Sequence, residues 1–436
     1  MEHYNRVLVI NSQSMFKNNA TGITLRSLWG DWPKDKILEF YSEPVQNNTS
    51  YSYKLEDNFF QWMIHLVKRI RRKRTGASEG KVQSHENSSD ASGVSDHLKR
   101  LLNCFPLKVT RKDWIRIRKF HPEIVYTLGG SANILSLTDK IARKMDIPVT
   151  VHYMDNWPNK IRISDTGFEK IYHRILLGNL KKNLKRSEIC FAISPYMSEC
   201  YEKEFRVRHI SLMNCVNVKL LSETHRKRLE DREVINIVYA GGLHLNRWKK
   251  LKIFAEFMLN EKFHTKLLMY VSDHEKVLYK DEFPKENCEF MKMISHDRIS
   301  DLYKNADVLL HVEADDEENI PFIKYSISTK IPEYLATGKP FIFFGPSDIA
   351  MYRYLKENEI AYAVCRNKDL KYVLAEVLHD MKLGKYRYGE EAVKFAQDYH
   401  SYSQVREKLR ESLETAVESF NQTSDSQLRK RADHEH

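Results

Sequence analysis

Short apolar runs alternate with amphipathic, helix-like segments along most of this chain. In the first half, the runs that predict strands are 6–12 (RVLVINS), 36–42 (KILEFYS), 123–130 (EIVYTLGG), 147–155 (IPVTVHYMD) and 188–194 (EICFAIS). In the second half they are 234–242 (VINIVYAGG), 265–272 (TKLLMYVS), 307–314 (DVLLHVEA), 341–345 (FIFFG) and 360–365 (IAYAVC). Continuous apolar strands that alternate with helices predict βαβ units and parallel sheets covered on both faces. We therefore expect an α/β fold with two doubly wound, Rossmann-like domains and a ligand cleft between them.

The length and one charged segment suggest where the domains divide. A chain of 436 residues is too long for one compact core, so two domains of roughly 200 residues are expected. Residues 219–233 are charged and lack strand character, which places the junction there and gives domains at 1–218 and 219–399. A helix at 400–420 is a candidate to pack back on the first domain, and a disordered tail is expected at 421–436.

Residues 45–100 interrupt the alternation of strands and helices. The segment 59–74 (FFQWMIHLVKRIRRKR) predicts a helix with an apolar stripe and a basic end. Such a helix is typical of a protein that lies on an anionic bilayer. The side chains expected at the bilayer are Phe59, Trp62, Met63, Lys68, Arg69, Arg71 and Arg72. An ordinary amphipathic helix packed on its own domain explains the same pattern, and the Ser/Gly/Asn-rich stretch at 75–96 predicts a mobile loop.

Composition narrows the class of protein further. No apolar stretch approaches the roughly 20 residues of a bilayer span, and the amino terminus shows no signal-peptide pattern, so we expect a cytoplasmic protein. The six cysteines lack a C-x-x-C pair and indicate reduced thiols rather than disulfides or a zinc site. They are Cys104, Cys190, Cys200, Cys215, Cys288 and Cys365. The formal net charge of +11 favours an anionic partner, whether nucleic acid, a phosphorylated ligand or an acidic membrane.

The first candidate site is the stretch YAGGLHLNRWKKL at 239–251. Gly241 and Gly242 follow a predicted strand and precede a predicted helix, where backbone N–H groups can approach a phosphate. Arg247 and Lys249 would add charge-assisted contacts to the same anion. The pattern is neither G-x-G-x-x-G nor a Walker A loop. A glycine turn with surface basic residues explains it as well.

The second candidate site is the stretch STKIPEYLATGKP at 328–340. Ser328 or Thr329 can cap a short helix that Gly338 ends. Lys330 and Glu333 share one face of this helix, so a phosphate at the helix N-terminus would lie beside Lys330, and Glu333 would accept hydrogen bonds from ribose hydroxyls. The alternative is an exposed Lys–Glu pair worth under ~1 kcal/mol.

Together, these stretches resemble the donor-binding domain of GT-B glycosyltransferases, in particular those of family 4. In that family, a strand and a glycine loop with Arg and Lys precede a short helix that reads E-x-L-A-x-G-K-P, and here these are 241–249 and 333–340. Residues 192–205 and the turn at 214–217 (NCVN) resemble parts of the same family near the end of its first domain. The resemblance extends over nearly the whole chain except 45–100 and the tail.

The resemblance implies an acceptor-binding first domain and a second domain that binds a nucleotide sugar, with no bound metal or other cofactor. The residues implied at the donor diphosphate are Gly22, Gly241, Gly242, Arg247, Lys249, Ser328, Thr329 and Lys330, and Glu333 is implied at the ribose. In the first domain, His152 matches a histidine near the donor sugar, and Asp155 is a candidate general base for an acceptor hydroxyl. Local hydrogen bonding within a loop is the alternative for both residues.

The chain departs from the family at one position. Members commonly carry an acidic residue eight positions before the helix glutamate, and Tyr325 stands there. Retention of anomeric configuration is expected from the family, although this carboxylate is absent. The acidic run EADDEEN at 313–319 either supplies a substitute or forms a solvated loop, and the solvated loop is the simpler interpretation.

These observations predict a hexosyltransferase that moves a sugar from a nucleotide-diphosphate sugar, with UDP the expected nucleotide, to a hydroxyl of a glycan or lipid-linked acceptor. We expect it at the cytoplasmic face of an anionic membrane, and we expect no nucleic acid partner. A GT-B sugar-nucleotide epimerase is one alternative, and it needs no acceptor site. A basic peripheral membrane or RNA-binding protein with a vestigial nucleotide site is another.

Overall fold

A computed structural model of the chain describes residues 3–45, 49–56, 100–159, 167–222, 234–261, 263–294 and 298–434. The predicted membrane helix at 59–74, the predicted loop at 75–96 and most of the predicted junction at 219–233 lie outside the described residues. The expectations for those segments therefore remain predictions.

The first sheet has seven parallel strands in the order β3-β2-β1-β4-β5-β6-β7. Their bounds are β1 (Val7–Asn11), β2 (Ile37–Tyr41), β3 (Ser52–Lys54), β4 (Ile124–Thr127), β5 (Val149–Tyr153), β6 (Ile189–Ala192) and β7 (Arg208–Ser211). Val9 on β1 pairs with Glu39 on β2 and with Tyr126 on β4. Because β1 is covered on both faces, all of its residues are buried, as its continuous apolar run predicts.

Helices connect these strands. They are α1 (Ala20–Trp29), α2 (Arg111–Phe120), α3 (Ala132–Met145), α4 (Gly167–Leu184) and α5 (Pro195–Phe205). In α3, Ile134, Leu137 and Ile141 recur at helical spacing and form its buried stripe. A capping box starts α2, since the side chain of Thr110 accepts from the N–H of Asp113 and the carboxylate of Asp113 accepts from the N–H of Thr110.

The second sheet has six parallel strands in the order β10-β9-β8-β11-β12-β13. Their bounds are β8 (Ile235–Ala240), β9 (Thr265–Val271), β10 (Cys288–Lys292), β11 (Val308–Val312), β12 (Phe341–Phe344) and β13 (Tyr362–Val364). The accompanying helices are α6 (Val218–Ser222), α7 (Arg247–Asn260), α8 (Asp273–Tyr279), α9 (Ile299–Asn305), α10 (Ile320–Ile323), α11 (Ile331–Thr337), α12 (Ala350–Glu357), α13 (Leu370–Lys382), α14 (Gly389–His400) and α15 (Tyr402–His434). Among the described residues, none of the helices has the length and apolar character that crossing a membrane requires.

The chain forms two compact units. The first comprises Met1–Ala192, Ser198–Leu212 and Glu407–His436, and the second comprises Ile193–Met197 and Met213–Arg406. The last helix, α15, contributes residues to both units. It continues to His434, whereas the sequence suggested that the helix ends at residue 420 and that a disordered tail follows.

Strand order fixes where ligands are expected in each sheet. In the first sheet, successive connections leave β1 towards β2 on one side and reach β4 on the other, so the topological switch point lies between β1 and β4. In the second sheet, the corresponding point lies between β8 and β11. Open parallel sheets bind ligands beyond the carboxyl ends of their strands at such points. The loops after these four strands are therefore the places to look for a site.

Candidate functional site

The loop after β8 carries the two glycines that the sequence singled out. A Cβ atom on Gly241 would lie 3.3 Å from Nζ of Lys330, and one on Gly242 would lie 2.4 Å from Nδ1 of His244. The hydroxyl of Tyr239 donates to the carbonyl of Gly242 at 2.6 Å. The glycines therefore let a lysine ammonium and a histidine ring approach the loop backbone.

Arg247, the first residue of α7, forms a two-pronged ion pair with Glu313. Its Nε lies 2.9 Å from Oε2 and its Nη2 lies 2.7 Å from Oε1 of that carboxylate. Glu313 directly follows β11 and is only 2% exposed, so this pair bridges the two loops at the switch point. Burial by itself raises the pKa of Glu313, but the charge of Arg247 and a hydrogen bond from His311 outweigh it and lower the pKa to about 2.

Three carboxylates of the acidic run at 313–319 pair with basic residues of α7, although Asp315, Glu317 and Glu318 are exposed as expected of a solvated loop, and Glu313 is the buried exception. Asp316 lies 3.6 Å from the ammonium of Lys249, and Asp315 lies 2.6 Å from that of Lys250. The side chain of Lys249 remains half exposed, whereas Lys250 is buried, with its ammonium over the ring of Phe344. Arg247 and Lys249 are thus both close to carboxylates, an arrangement that the spacing of the basic residues did not reveal.

Lys330 differs from these cations. In the part of the chain that the structure describes, its ammonium makes no hydrogen bond and no ion pair, although Gly241 lies beside it. Burial lowers the pKa of Lys330, and the nearby charge of Arg247 lowers it further. The charges of Glu333, Glu313 and Glu275 act in the opposite direction, but none of the described carboxylates forms an ion pair with Lys330. A partly buried cation of this kind is suited to binding an anion.

The helix after Lys330 is α11, and its start differs from the prediction. Lys330 itself occupies the N-cap position without a side-chain cap, where Ser328 or Thr329 was expected. Oγ of Ser328 accepts from the N–H of Lys330 at 3.4 Å, and the carbonyl of Thr329 accepts from Nδ2 of Asn214 at 2.8 Å. Gly338 ends the helix with φ of 60°, as predicted.

Glu333 is buried in α11, so the alternative of an exposed Lys–Glu pair is wrong. Its Oε2 accepts a hydrogen bond from the hydroxyl of Tyr303 at 2.5 Å. The Tyr303 ring packs edge-on against that of Tyr334, with centroids 5.5 Å apart. A ribose at Glu333 would therefore have to share a carboxylate that already has a donor.

Tyr325 stands where the family commonly has a carboxylate. Its carbonyl accepts from Oγ of Ser194 at 2.6 Å, and its ring packs against Tyr196 with centroids 5.4 Å apart. The side chain at this position therefore packs against another aromatic ring and supplies no carboxylate.

In the first unit, His152 is completely buried, which corrects the expectation that it faces a ligand. Its Nε2 lies 3.0 Å from the carbonyl of Leu212 and must donate, so Nδ1 accepts from the hydroxyl of Tyr126 at 2.7 Å. Burial lowers the pKa of His152 to about 3, so the ring is neutral. Both ring nitrogens are used within the protein.

The other two predicted residues of the first unit have local roles in the structure. Oδ1 of Asp155 accepts from the N–H of Trp157 at 3.0 Å, which is the loop hydrogen bond that was the alternative. Gly22 lies in the first turn of α1 rather than in a loop, and its N–H donates to the capping side chain of Asn19. A Cβ atom there would lie 1.9 Å from the carbonyl oxygen of Lys17, so only glycine fits.

Four residues at the β8–β11 switch point were not predicted, namely His244, Glu275, His311 and, as the partner of Arg247, Glu313. Glu275 accepts from the N–H of Leu243 at 2.6 Å and thereby holds the glycine loop. The sequence signal for Glu275 was its capping box with Ser272, which indicates a helix start but not this contact. Among the described residues, no group of three His, Cys, Asp or Glu side chains is placed to hold a metal ion.

Comparisons with known proteins define the class of fold. No family model and no curated protein matches the sequence. Among solved structures, Anabaena HepE in complex with UDP is 12% identical, with a TM-score of 0.57 over 94% of this chain and 100% of that one. Sucrose-phosphate synthase from Thermosynechococcus elongatus is 11% identical, with a TM-score of 0.61 over 95% and 99%. WaaG, a glycosyltransferase involved in lipopolysaccharide biosynthesis, is 11% identical, with a TM-score of 0.55 over 92% and 98%.

The chain therefore has the GT-B fold of these glycosyltransferases, which confirms the predicted fold class. At such low identity, the likeness extends to the fold alone. The narrower resemblance to family 4 remains a prediction from the motifs.

Proposed function

We propose that this protein is a glycosyltransferase that takes a sugar from a nucleotide-diphosphate sugar, with UDP as the nucleotide, and transfers it to a hydroxyl of a glycan or lipid-linked acceptor. The observation that carries the proposal is the Lys330 ammonium, which lies beside Gly241 at the switch point of the second sheet without a carboxylate partner among the described residues. The bound UDP in the HepE structure supports the choice of nucleotide.

The proposed role of this cluster is electrostatic. When a glycosidic bond to a diphosphate breaks, negative charge develops on the leaving oxygens, and preorganised cations stabilise it without a metal ion. Lys330 and the free N–H groups of Arg247 would supply that stabilisation, and the half-exposed Lys249 would add a weaker, screened contribution. Glu333 would bind the ribose beside Tyr303.

The acceptor side of the proposal rests on the sequence. Asp155 remains the candidate base, while His152 has no accessible atom to offer a sugar. Retention of configuration and work at an anionic, cytoplasmic membrane face are proposed on the family resemblance and on segment 59–74, which lies outside the described residues. The aromatic pair at Tyr325 gives no support for a carboxylate at that position.

A thermal-shift panel of nucleoside diphosphates and sugar nucleotides tests the proposal, because a ligand that binds only the folded state raises the melting temperature. We expect UDP to raise it, and we expect Arg247→Ala and Glu333→Ala to reduce this shift and to lose sugar transfer while they remain folded. Lys356→Ala, on the exposed surface of α12, is the matched control. Full activity in either site variant would exclude the site, and donor turnover without any acceptor would favour the epimerase.

A further inference from the structure

The guanidinium of Arg247 is held on two sides. Its Nε and Nη2 donate to Glu313, and its Nη1 lies 3.1 Å from Nε2 of His244. Because arginine has only donors, Nε2 of His244 must accept. These contacts use three of the five N–H groups of an arginine, so one N–H remains on each terminal nitrogen. N–H groups of a guanidinium are the donors that phosphate oxygens accept from.

Glu313 is itself fixed from behind. Nε2 of His311 lies 3.1 Å from Oε1 of Glu313, and both side chains are buried. An ionised carboxylate only accepts, so Nε2 of His311 donates. The His311 ring also stacks on Phe343, with centroids 6.2 Å apart and an interplanar angle of 18°. The carboxylate therefore has little freedom to rotate away from Arg247.

We propose that Glu313 is a positioning residue, which holds the guanidinium of Arg247 so that its two remaining N–H groups are available to the phosphate oxygens of the donor. This inference rests on the proposed function of the same site. It assigns a role to a carboxylate that the sequence placed in a solvated loop. The opposite role is that Glu313 competes with phosphate for Arg247, in which case the ion pair would have to break before the donor binds.

The two roles predict opposite effects of Glu313→Gln on the affinity for UDP. Removing a negative charge next to a bound anion strengthens anion binding, if nothing else changes. Glu313→Gln should therefore tighten UDP binding if Glu313 is a competitor. If Glu313 is a positioning residue, the same variant loses the two-pronged contact, Arg247 adopts other rotamers, and binding weakens although a repulsive charge has gone.

Calorimetric titration of UDP into the purified protein decides between them. We expect Glu313→Gln to weaken UDP binding about tenfold. Glu317→Gln removes the same charge from an exposed position in the same acidic run, and we expect it to change affinity by less than about twofold. Unchanged or tighter binding by Glu313→Gln overturns the proposal.

Two further variants test whether the loss at Glu313→Gln comes from a folding defect or from an effect that does not involve Arg247. Glu313→Asp keeps the charge but is one methylene shorter, so it should also weaken UDP binding, and wild-type affinity in this variant counts against the proposal. In an Arg247→Ala background, Glu313→Gln should cause no further weakening, because the residue that it positions is gone. An additional tenfold loss in that background would show that Glu313 acts by another route.

A spectroscopic measurement separates this inference from the proposed function. If the wild-type protein binds no nucleotide, the proposed function fails, but the positioning of Arg247 is still visible in the free protein. We expect the ¹⁵N-labelled Nε–H of Arg247 to exchange slowly with water in the wild type and rapidly in Glu313→Gln. Equal exchange rates in the two proteins would overturn the positioning role whatever the ligand is.

Discussion

Two buried glutamates, one in each unit, show how differently this protein treats the same side chain. Among the described residues, the donors to Glu39 on β2 are all neutral, namely Oγ of Ser14 at 2.9 Å, the N–H of Met15 at 2.7 Å and the hydroxyl of Ser52. Burial raises the pKa of Glu39, and these three hydrogen bonds only partly offset it. The pKa of the equally buried Glu313 falls to about 2, because burial is outweighed by the charge of Arg247.

The difference lies in the charge of the donor rather than in the degree of burial. Desolvation disfavours an ionised carboxylate at both places, and only a cation compensates for it fully. The Glu39 cluster therefore acts as a scaffold for the loop after β1. The Glu313 cluster belongs to a set of fixed charges that includes Lys330, and this is the set that we propose to bind the diphosphate of the donor.

The largest expected effect tests whether anion binding belongs to the charged cluster. Lys330→Ala should weaken UDP binding about 100-fold, or ~2.7 kcal/mol, because it removes a desolvated cation that lacks a carboxylate partner among the described residues. Titration calorimetry measures the loss, and Lys356→Ala serves as its control. A loss no larger than that of the control would remove the distinction between the two clusters.

A second prediction concerns stability at low pH. The pKa of Glu313 is lower in the folded protein than its ordinary value of 4.5, so its contribution is present above that value and is lost as the pH falls towards about 2. The stability advantage of the wild type over Glu313→Gln should shrink over that range by on the order of 2 kcal/mol. Urea unfolding at a series of pH values measures it. A difference that does not vary with pH would contradict the ion pair.

The smallest expected effect is the pH dependence of stability that is linked to Glu39, and its sign is opposite to that at Glu313. The pKa of Glu39 is raised in the folded protein, so the stability linked to its protonated form is present below its ordinary value of 4.5 and is lost as the pH rises through the raised pKa. The wild type should lose stability relative to Glu39→Gln as the pH rises through this window. The effect should be smaller than at Glu313, since three hydrogen bonds offset part of the desolvation. A wild type that gains stability over this window would show that a cation compensates Glu39.

The sequence predicted ten of the thirteen strands in the part of the chain that the structure describes, and the three that it missed share a physical property. They are β3, β7 and β10, and each lies at the edge of its sheet. Most of their residues are partly or fully exposed, and none of the residues of β10 is buried. A strand that is not covered on both faces has no need of a continuous apolar run, so the pattern that identified β1 gave no signal for them.

For the candidate site, motif and spacing predicted which loops and side chains belong to it, but not which residues those side chains contact. The glycine loop, Arg247, Lys330 and Glu333 were all predicted as parts of one site, and the structure places Lys330 against Gly241. His152 was misjudged because a histidine at a strand end can face solvent or the core, and burial among neighbouring elements is not a local property. The hydrogen bond from Tyr303 to Glu333 spans thirty residues of sequence and left no signal in either motif.

The sequence by itself determined two α/β units, the helix stop at Gly338 and the positions of the basic residues in the two motifs, because each follows from local pattern and residue chemistry. Only the tertiary structure decided which carboxylates those cations face. Arg247 and Glu313 lie sixty-six positions apart and meet because β8 and β11 are neighbours in the sheet. Strand order brings the two loops together, and the charge of Arg247 then outweighs the cost of burying the carboxylate of Glu313.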